Sequence, residues 1–148
     1  MQIAPLEAND RAQWGHLARG YREFYKTATT EKEFDHAWRR LLEQDVVLGL
    51  GAKVNGQLVG IAHYLFHAST WAPKVCYLQD LFTSPEARGN GVARALIEAV
   101  AQKAQASGAA RYYWLTQEEN QVARHLYDKV AKYNGFIRYD FAIPQPGA

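Results

Sequence analysis

The stretch SPEARGNGVARALIEAV, Ser84 to Val100, sets two glycines, Gly89 and Gly91, just after an apolar strand-like run and just before a run with helical periodicity. Glycine weakens a helix, so its presence where one must start calls for a reason. Small residues let the backbone approach a ligand, and the free N–H groups of the next helix's first turn then point at it. An anion is the natural guest. Arg88 adds a positive charge just upstream, and Asn90 tolerates the turn or left-handed conformations that such a nest requires. The plainer alternative is a glycine-rich turn that merely starts a helix. Two nucleotide motifs are excluded: the Gly-Lys-Ser/Thr ending of a P-loop is missing, and Arg94 stands where a dinucleotide fingerprint wants a small residue.

The segments on either side supply the frame. A short strand, Gln2 to Pro5, precedes NDRAQWGHLARGYREFYK, where Trp14, Leu17, Ala18, Tyr21 and Tyr25 recur at helical spacing behind Asn9 or Asp10 as N-cap. TTEKEFDHAWRRLLEQ opens with Thr30 and Glu33 in capping-box spacing and carries Phe34, Ala37, Trp38, Leu41 and Leu42 on one face, a second helix. From Asp45 the period changes. VVLGLGAKVNGQLVGIAHYLFHA, broken at Asn55-Gly56, reads as a hairpin, and KVCYLQDLFTS as a further strand. GVARALIEAVAQKAQASG is a helix stopped by Gly108, ARYYWLT a strand, ENQVARHLYDKVAKY a helix and FIRYDFAI a final alternating strand. This order predicts an α/β domain with a mixed sheet and helices on both faces.

The length of 148 residues predicts one domain, 1–148, large enough to bury a core without disulfides or metals. Its 48% hydrophobic and 22% charged residues are those of a soluble globular protein, which argues against disorder. A net charge of +2 is spread over scattered residues rather than a basic stripe, so nucleic acid is not the expected partner. The one cysteine, Cys76, cannot form an internal disulfide, and no apolar stretch approaches the roughly 18 residues of a membrane span. MQIAPLEAND lacks the basic and apolar regions of a signal peptide, so the expected setting is cytoplasmic.

Arg88-x-x-Gly91-x-Ala93, preceded by YLQDLFTSPEA and followed by RALIEAVAQKA, resembles the acetyl-CoA loop of the GNAT N-acetyltransferases, Gln/Arg-x-x-Gly-x-Gly/Ala. YYWLTQEENQVARHLYDKVAKYNGF is similar to the family's later strand, its Asn-x-x-Ala-x-x-Leu-Tyr helix and its Gly-Phe exit, so the likeness runs from Val46 to Ile143. The early helix ending YREFYKT resembles the branch of yeast histone acetyltransferases and polyamine, diamine and thialysine acetyltransferases. The resemblance implies a GNAT fold, a mixed and mostly antiparallel twisted sheet with helices on both faces. It also implies acetyl-CoA as cosubstrate, with no metal. The pyrophosphate would rest on the N–H groups of Arg88, Gly89, Asn90, Gly91, Val92, Ala93 and Arg94, and the pantetheine would pair with Leu81, Phe82 and Thr83. Tyr127 takes the position of the general acid that protonates the leaving thiolate, and Asn120 that of a cofactor-binding residue, although Asn120 also suits a simple N-cap.

An amine acceptor arrives as an ammonium ion of pKa near 10 and must lose a proton before its nitrogen attacks the thioester. Polyamine-acetylating relatives read Leu-Glu-Asp on the strand before the loop, and that Glu serves the amine. This chain reads Leu78-Gln79-Asp80, and Gln79 can hydrogen-bond an amine but cannot take its proton. Asp80 reaches the same face only if a bulge reorients it. Glu118, Glu119 or a water chain are the other candidates. The acceptor pocket is expected from Tyr21, Phe24, Tyr25, Tyr64 and Trp114, since aromatic faces suit an ammonium group.

Cys76, in KVCYL, reads as a buried small hydrophobe rather than an acetyl carrier, so transfer is expected to be direct, in a ternary complex. The five histidines show no metal-ligand spacing, although His63 and His67 share a strand face, where a structural or substrate-lining role is expected. The function read from the sequence is acetyl transfer to a primary amine on a small molecule or a peptide lysine, without nucleic acid or membrane as partner. The resemblance further suggests a homodimer that includes FIRYDFAI. The reading of another class is a non-catalytic CoA-binding sensor or scaffold.

Overall fold

Hydrophobic period and turn chemistry agree along most of the chain, and the elements form where they do. In the computed structural model, which describes residues 1–147, β1 (Gln2–Pro5) leads through a short 3-10 turn into α1 (Arg11–Phe24) and α2 (Glu31–Glu43). Strands β2 (Val47–Val54), β3 (Gln57–His67) and β4 (Val75–Thr83) follow, then α3 (Val92–Ala106), β5 (Tyr112–Tyr113) and α4 (Gln121–Val130). Thr30 caps α2 by accepting the Glu33 N–H at 3.1 Å, as its spacing predicts. Asn55 and Gly56 both take positive φ, 51° and 78°, the twist that a two-residue hairpin turn needs.

The sheet runs β1-β2-β3-β4-β5, antiparallel throughout except for the parallel β4–β5 pair. The expected mixed, mostly antiparallel sheet is therefore present. Consecutive residues on a strand face opposite ways, and β3 shows what covers each side. A side chain at Gly60 would meet Val92 and Leu96 of α3, whereas Ile61 belongs to the cluster of Trp14, Leu17, Phe34, Trp38 and Leu41 from α1 and α2. Helices thus cover both faces. Trp14 is the centre of the α1–α2 layer: 1% exposed, its ring lies 4.9 Å from that of Trp38 and edge-on to Phe34 at 6.5 Å. Truncating so large a side chain at such a site costs about 3–5 kcal/mol.

The chain divides into two units, Met1–Leu115 and a second that begins at Thr116. The second holds α4, capped by Asn120, whose side chain accepts the Ala123 N–H at 3.4 Å and donates to Thr116 Oγ1 at 3.4 Å. FIRYDFAI departs from expectation, because residues 136–143 pair with no strand among the described residues. Alternation specifies two faces but supplies no neighbouring edge, and a strand exists only through its ladder.

Candidate active site

The sheet is opened on one side at the level of the glycine loop. β4 and β5 pair only at Cys76↔Tyr112 and Tyr77↔Tyr113, so from Leu78 to Thr83 the outer edge of β4 has no strand beside it among the described residues. Parallel pairing that stops after two residues leaves backbone donors and acceptors facing outward. Leu81 and Phe82 are half-buried on this stretch and Thr83 is buried. The Thr83 hydroxyl is buried without a hydrogen-bond partner.

After β4 the chain turns through Pro85–Ala87 and reaches Gly89 and Gly91, both with positive φ, 82° and 79°. Apart from the chain neighbours, no atom of the described residues lies within 4 Å of where a Cβ would stand at either glycine. What the protein itself requires there is the left-handed backbone. Gly91 is the N-cap of α3 and offers no capping side chain, so the first-turn N–H groups of Val92, Ala93 and Arg94 lack an intrahelical acceptor. The Asn90 side-chain amide donates to the carbonyls of Ala87 at 3.1 Å and Arg88 at 3.3 Å. Arg88 Nε donates to the Thr83 carbonyl at 3.3 Å, and its guanidinium lies over the Phe82 ring. The Arg88 N–H, expected among the phosphate donors, is taken by the Pro85 carbonyl at 3.4 Å, which leaves that role to the N–H groups that follow it.

On the same strand a bulge decides which way Asp80 points. His63 pairs with Asp80, but the next residue, Tyr64, pairs with Leu78, leaving Gln79 as the extra residue. Cross-strand partners share a face and neighbours on a strand do not, so Leu78 and Asp80 lie on opposite faces although they are two apart. The required bulge is present. Asp80 therefore faces α1, where its Oδ2 lies 2.9 Å from His63 Nδ1 and its carboxylate accepts the Tyr21 hydroxyl.

Burial alone would raise the pKa of Asp80; its hydrogen bond and charge interaction with His63, then the Tyr21 hydrogen bond and the charge of Arg22, outweigh it and hold the carboxyl below its ordinary value. Burial and the Asp80 charge push the Tyr21 phenol well up, and the same two causes raise Tyr25. Both phenols stay protonated and can donate. Asp10, a buried carboxylate, is occupied, 2.7 Å from Lys53 Nζ and accepting the Glu7 N–H. Asp80 has no Lys or Arg ion pair among the described residues, and it opens onto a cavity of about 410 Å³ between α1, α2 and the sheet.

Around this cavity stand Arg22, Glu33, His36, Arg40, Gln79 and Asp80, over a floor that includes Trp14, Ile61 and Phe34. Sequence reasoning named Gln79, Asp80 and Tyr21 but not the polar strip of α2. Its signal was the spacing of Glu33, His36 and Arg40 at three and four, which sets three ionisable side chains along one helical edge.

The acceptor residues expected elsewhere divide. Tyr25 caps α1, its ring 5.0 Å from Tyr21, and Phe24 is exposed and packs edge-on to Tyr25. Tyr64 does not line the cavity: it is 5% exposed and faces away from His63, against Phe66, because the pairing that brings Asp80 inward sends Tyr64 to the other side. Trp114 packs on Tyr112. Glu118 and Glu119 are exposed in the second unit, which also carries Tyr127 on α4. Cys76 is fully buried, and burial pushes its thiol up to about 11. It is a neutral packing group at neutral pH. His67 is bonded to the Tyr113 hydroxyl at 2.9 Å. No cluster of metal-ligating side chains occurs among the described residues.

Residues 13–133 match the acetyltransferase (GNAT) family profile. The chain belongs to the GNAT acetyltransferases. It is 34% identical over 134 residues to the D-amino-acid N-acetyltransferase HPA3 of Saccharomyces cerevisiae, covering 87% of this chain and 83% of that protein. With the thialysine N-epsilon-acetyltransferase of Caenorhabditis elegans it shares 29% over 108 residues, 73% of this chain and 68% of that one. The fold is also that of a ribosomal-protein-alanine N-acetyltransferase from Brucella melitensis, with a TM-score of 0.80 at 23% identity over 96% of this chain and 98% of the other. This GNAT protein is an acetyl-transferring enzyme of the branch its early helix suggested.

Proposed function

We propose that this GNAT enzyme transfers acetyl from acetyl-CoA directly to the primary amine of a small amino acid or amino-acid-like molecule held in the α1–α2 cavity. The observation that carries this reading is the bulge at Gln79: one strand both turns Asp80 into the cavity and runs straight into the glycine loop. Acetyl-CoA, when bound, supplies the activated thioester. The residues present fit it. The N–H groups from Gly89 to Arg94 suit a diphosphate, Arg88 adds charge, and the unpaired edge of Leu81, Phe82 and Thr83 suits the peptide-like pantetheine arm.

Asp80 receives the acceptor. Being ionised and already bonded by two protein donors, it keeps lone pairs for an ammonium N–H, and Gln79 offers a neutral amide beside it. Asp80 holds the ammonium by charge, and water at the cavity mouth takes up the proton that the amine must lose. By their places in the family's Asn-x-x-Ala-x-x-Leu-Tyr helix motif, Tyr127 is assigned the protonation of the departing thiolate and Asn120 a cofactor-binding role. Tyr127→Phe is expected to lower turnover about 10²-fold with CoA affinity kept; loss of CoA binding instead would make the residue structural.

The amino-acid class rests on charge and on kinship. Arg22 and Arg40 border the cavity, neither is in an ion pair among the described residues, and a zwitterion would place its ammonium at Asp80 and its carboxylate at these guanidinium groups. Relatives named for D-amino acids and thialysine act on such molecules. Arg40→Gln is therefore expected to raise KM for an amino acid about tenfold while leaving the matching amine without a carboxylate unchanged. Equal effects on the pair would remove the zwitterion from this reading. Turnover is followed as amine-stimulated thiol release across a panel of acceptors; tight CoA binding with no turnover on any amine would favour a sensor.

A further inference from the structure

Behind Asp80 lies a chain of groups that the reaction as described does not use. The Trp14 indole Nε1 is 2.9 Å from His63 Nε2, and His63 Nδ1 is 2.9 Å from Asp80 Oδ2. An indole N–H can only donate, so Nε2 of His63 is its acceptor and carries no hydrogen. The ring proton then sits on Nδ1 and is given to Asp80. Trp14 is 1% exposed and His63 8%, and the indole N–H, which has no lone pair, ends the chain for any proton relay. A proton arriving at Asp80 has no lone pair on Nδ1 to move to.

We propose that His63 is a positioning residue for acetyl transfer: its tautomer, fixed by Trp14, holds the Asp80 carboxylate turned toward the acceptor, and it carries no proton away. This inverts a hydrolytic triad, in which a carboxylate orients an imidazole. It also gives the Gln79 bulge a second consequence, because the shifted register is what sets His63 opposite Asp80. The proton lost by the amine leaves from the cavity side, past Tyr21. The assignment rests on the reading that Asp80 receives the amine.

Nitrogen NMR of the His63 ring in the whole protein reads the tautomer directly. Hydrogen on Nδ1 is expected; hydrogen on Nε2 would overturn the assignment. Trp14→Phe keeps an aromatic core residue but removes the indole donor, so the His63 proton should redistribute toward Nε2 and kcat/KM should fall about tenfold. An unchanged tautomer with an unchanged rate would overturn it equally. His63→Leu should fall by about tenfold or more, whereas His63→Asn, whose amide can donate from about the place of Nδ1, should recover most of the loss. Equal rates for these two variants would reduce His63 to packing. Asp80→Asn separates the two levels. If it turns over like the wild type, the reading of Asp80 fails and this one with it; if it is slow while His63→Leu runs at full rate, only the role of His63 falls.

Discussion

Replacing Asp80 by Asn is expected to lower kcat/KM for the amine about 10²-fold, the loss of a charged hydrogen-bond partner for the ammonium, while CoA affinity stays close to that of the wild type. An amide offers one acceptor oxygen and two donors, so it cannot accept from His63, Tyr21 and an ammonium together. The same variant has a stability signature. Because the folded carboxyl titrates below its ordinary value, Asp80 contributes stability that is fully present above about pH 4, where the unfolded carboxyl is ionised. That stability is lost as pH falls through the lower folded value. The difference in Tm between wild type and Asp80→Asn should therefore be largest near neutrality and shrink in acid. A difference that grows toward low pH would mean that burial, not hydrogen bonding, dominates at this carboxyl.

Gly91→Trp carries the second large effect. Beyond its chain neighbours, no atom of the described residues lies within 4 Å of its Cβ position, so a side chain can start there without a clash, and the cost to the fold is that of a left-handed residue, about 1–2 kcal/mol. A ligand brought to the first-turn N–H groups of α3 would meet the new side chain directly. CoA binding is expected to be lost while the far-ultraviolet circular dichroism and cooperative melting persist. Retained affinity would put the phosphates elsewhere.

Most of the fold was legible because local signals coincide with the tertiary solution. The capping pair Thr30 and Glu33, the Asn55-Gly56 turn and the glycine-punctuated start of α3 each specify a boundary by chemistry that acts within a few residues. The last segment was not, since the alternation in FIRYDFAI says nothing about which edge is open to pair. The same limit explains the site. Asp80 was placed conditionally on a bulge, and one extra residue at Gln79 settles the faces of Asp80 and Tyr64 together, in opposite senses. His63 reads in the sequence as sharing a strand face with His67 in a structural or substrate-lining role; its partners are 49 and 17 residues away along the chain, a register that no local pattern encodes. Trp14 reads only as one of the residues at helical spacing in the first helix; it lies in the core, and its N–H does the further work.

If main-chain donors from Gly89 to Arg94 hold the diphosphate of acetyl-CoA beside the strand that carries Asp80, a CoA titration followed by amide chemical shifts should reveal it. The N–H signals of Gly89 to Arg94 are expected to move furthest and saturate with the binding isotherm. Binding that leaves these signals in place while shifting another part of the chain would contradict that placement.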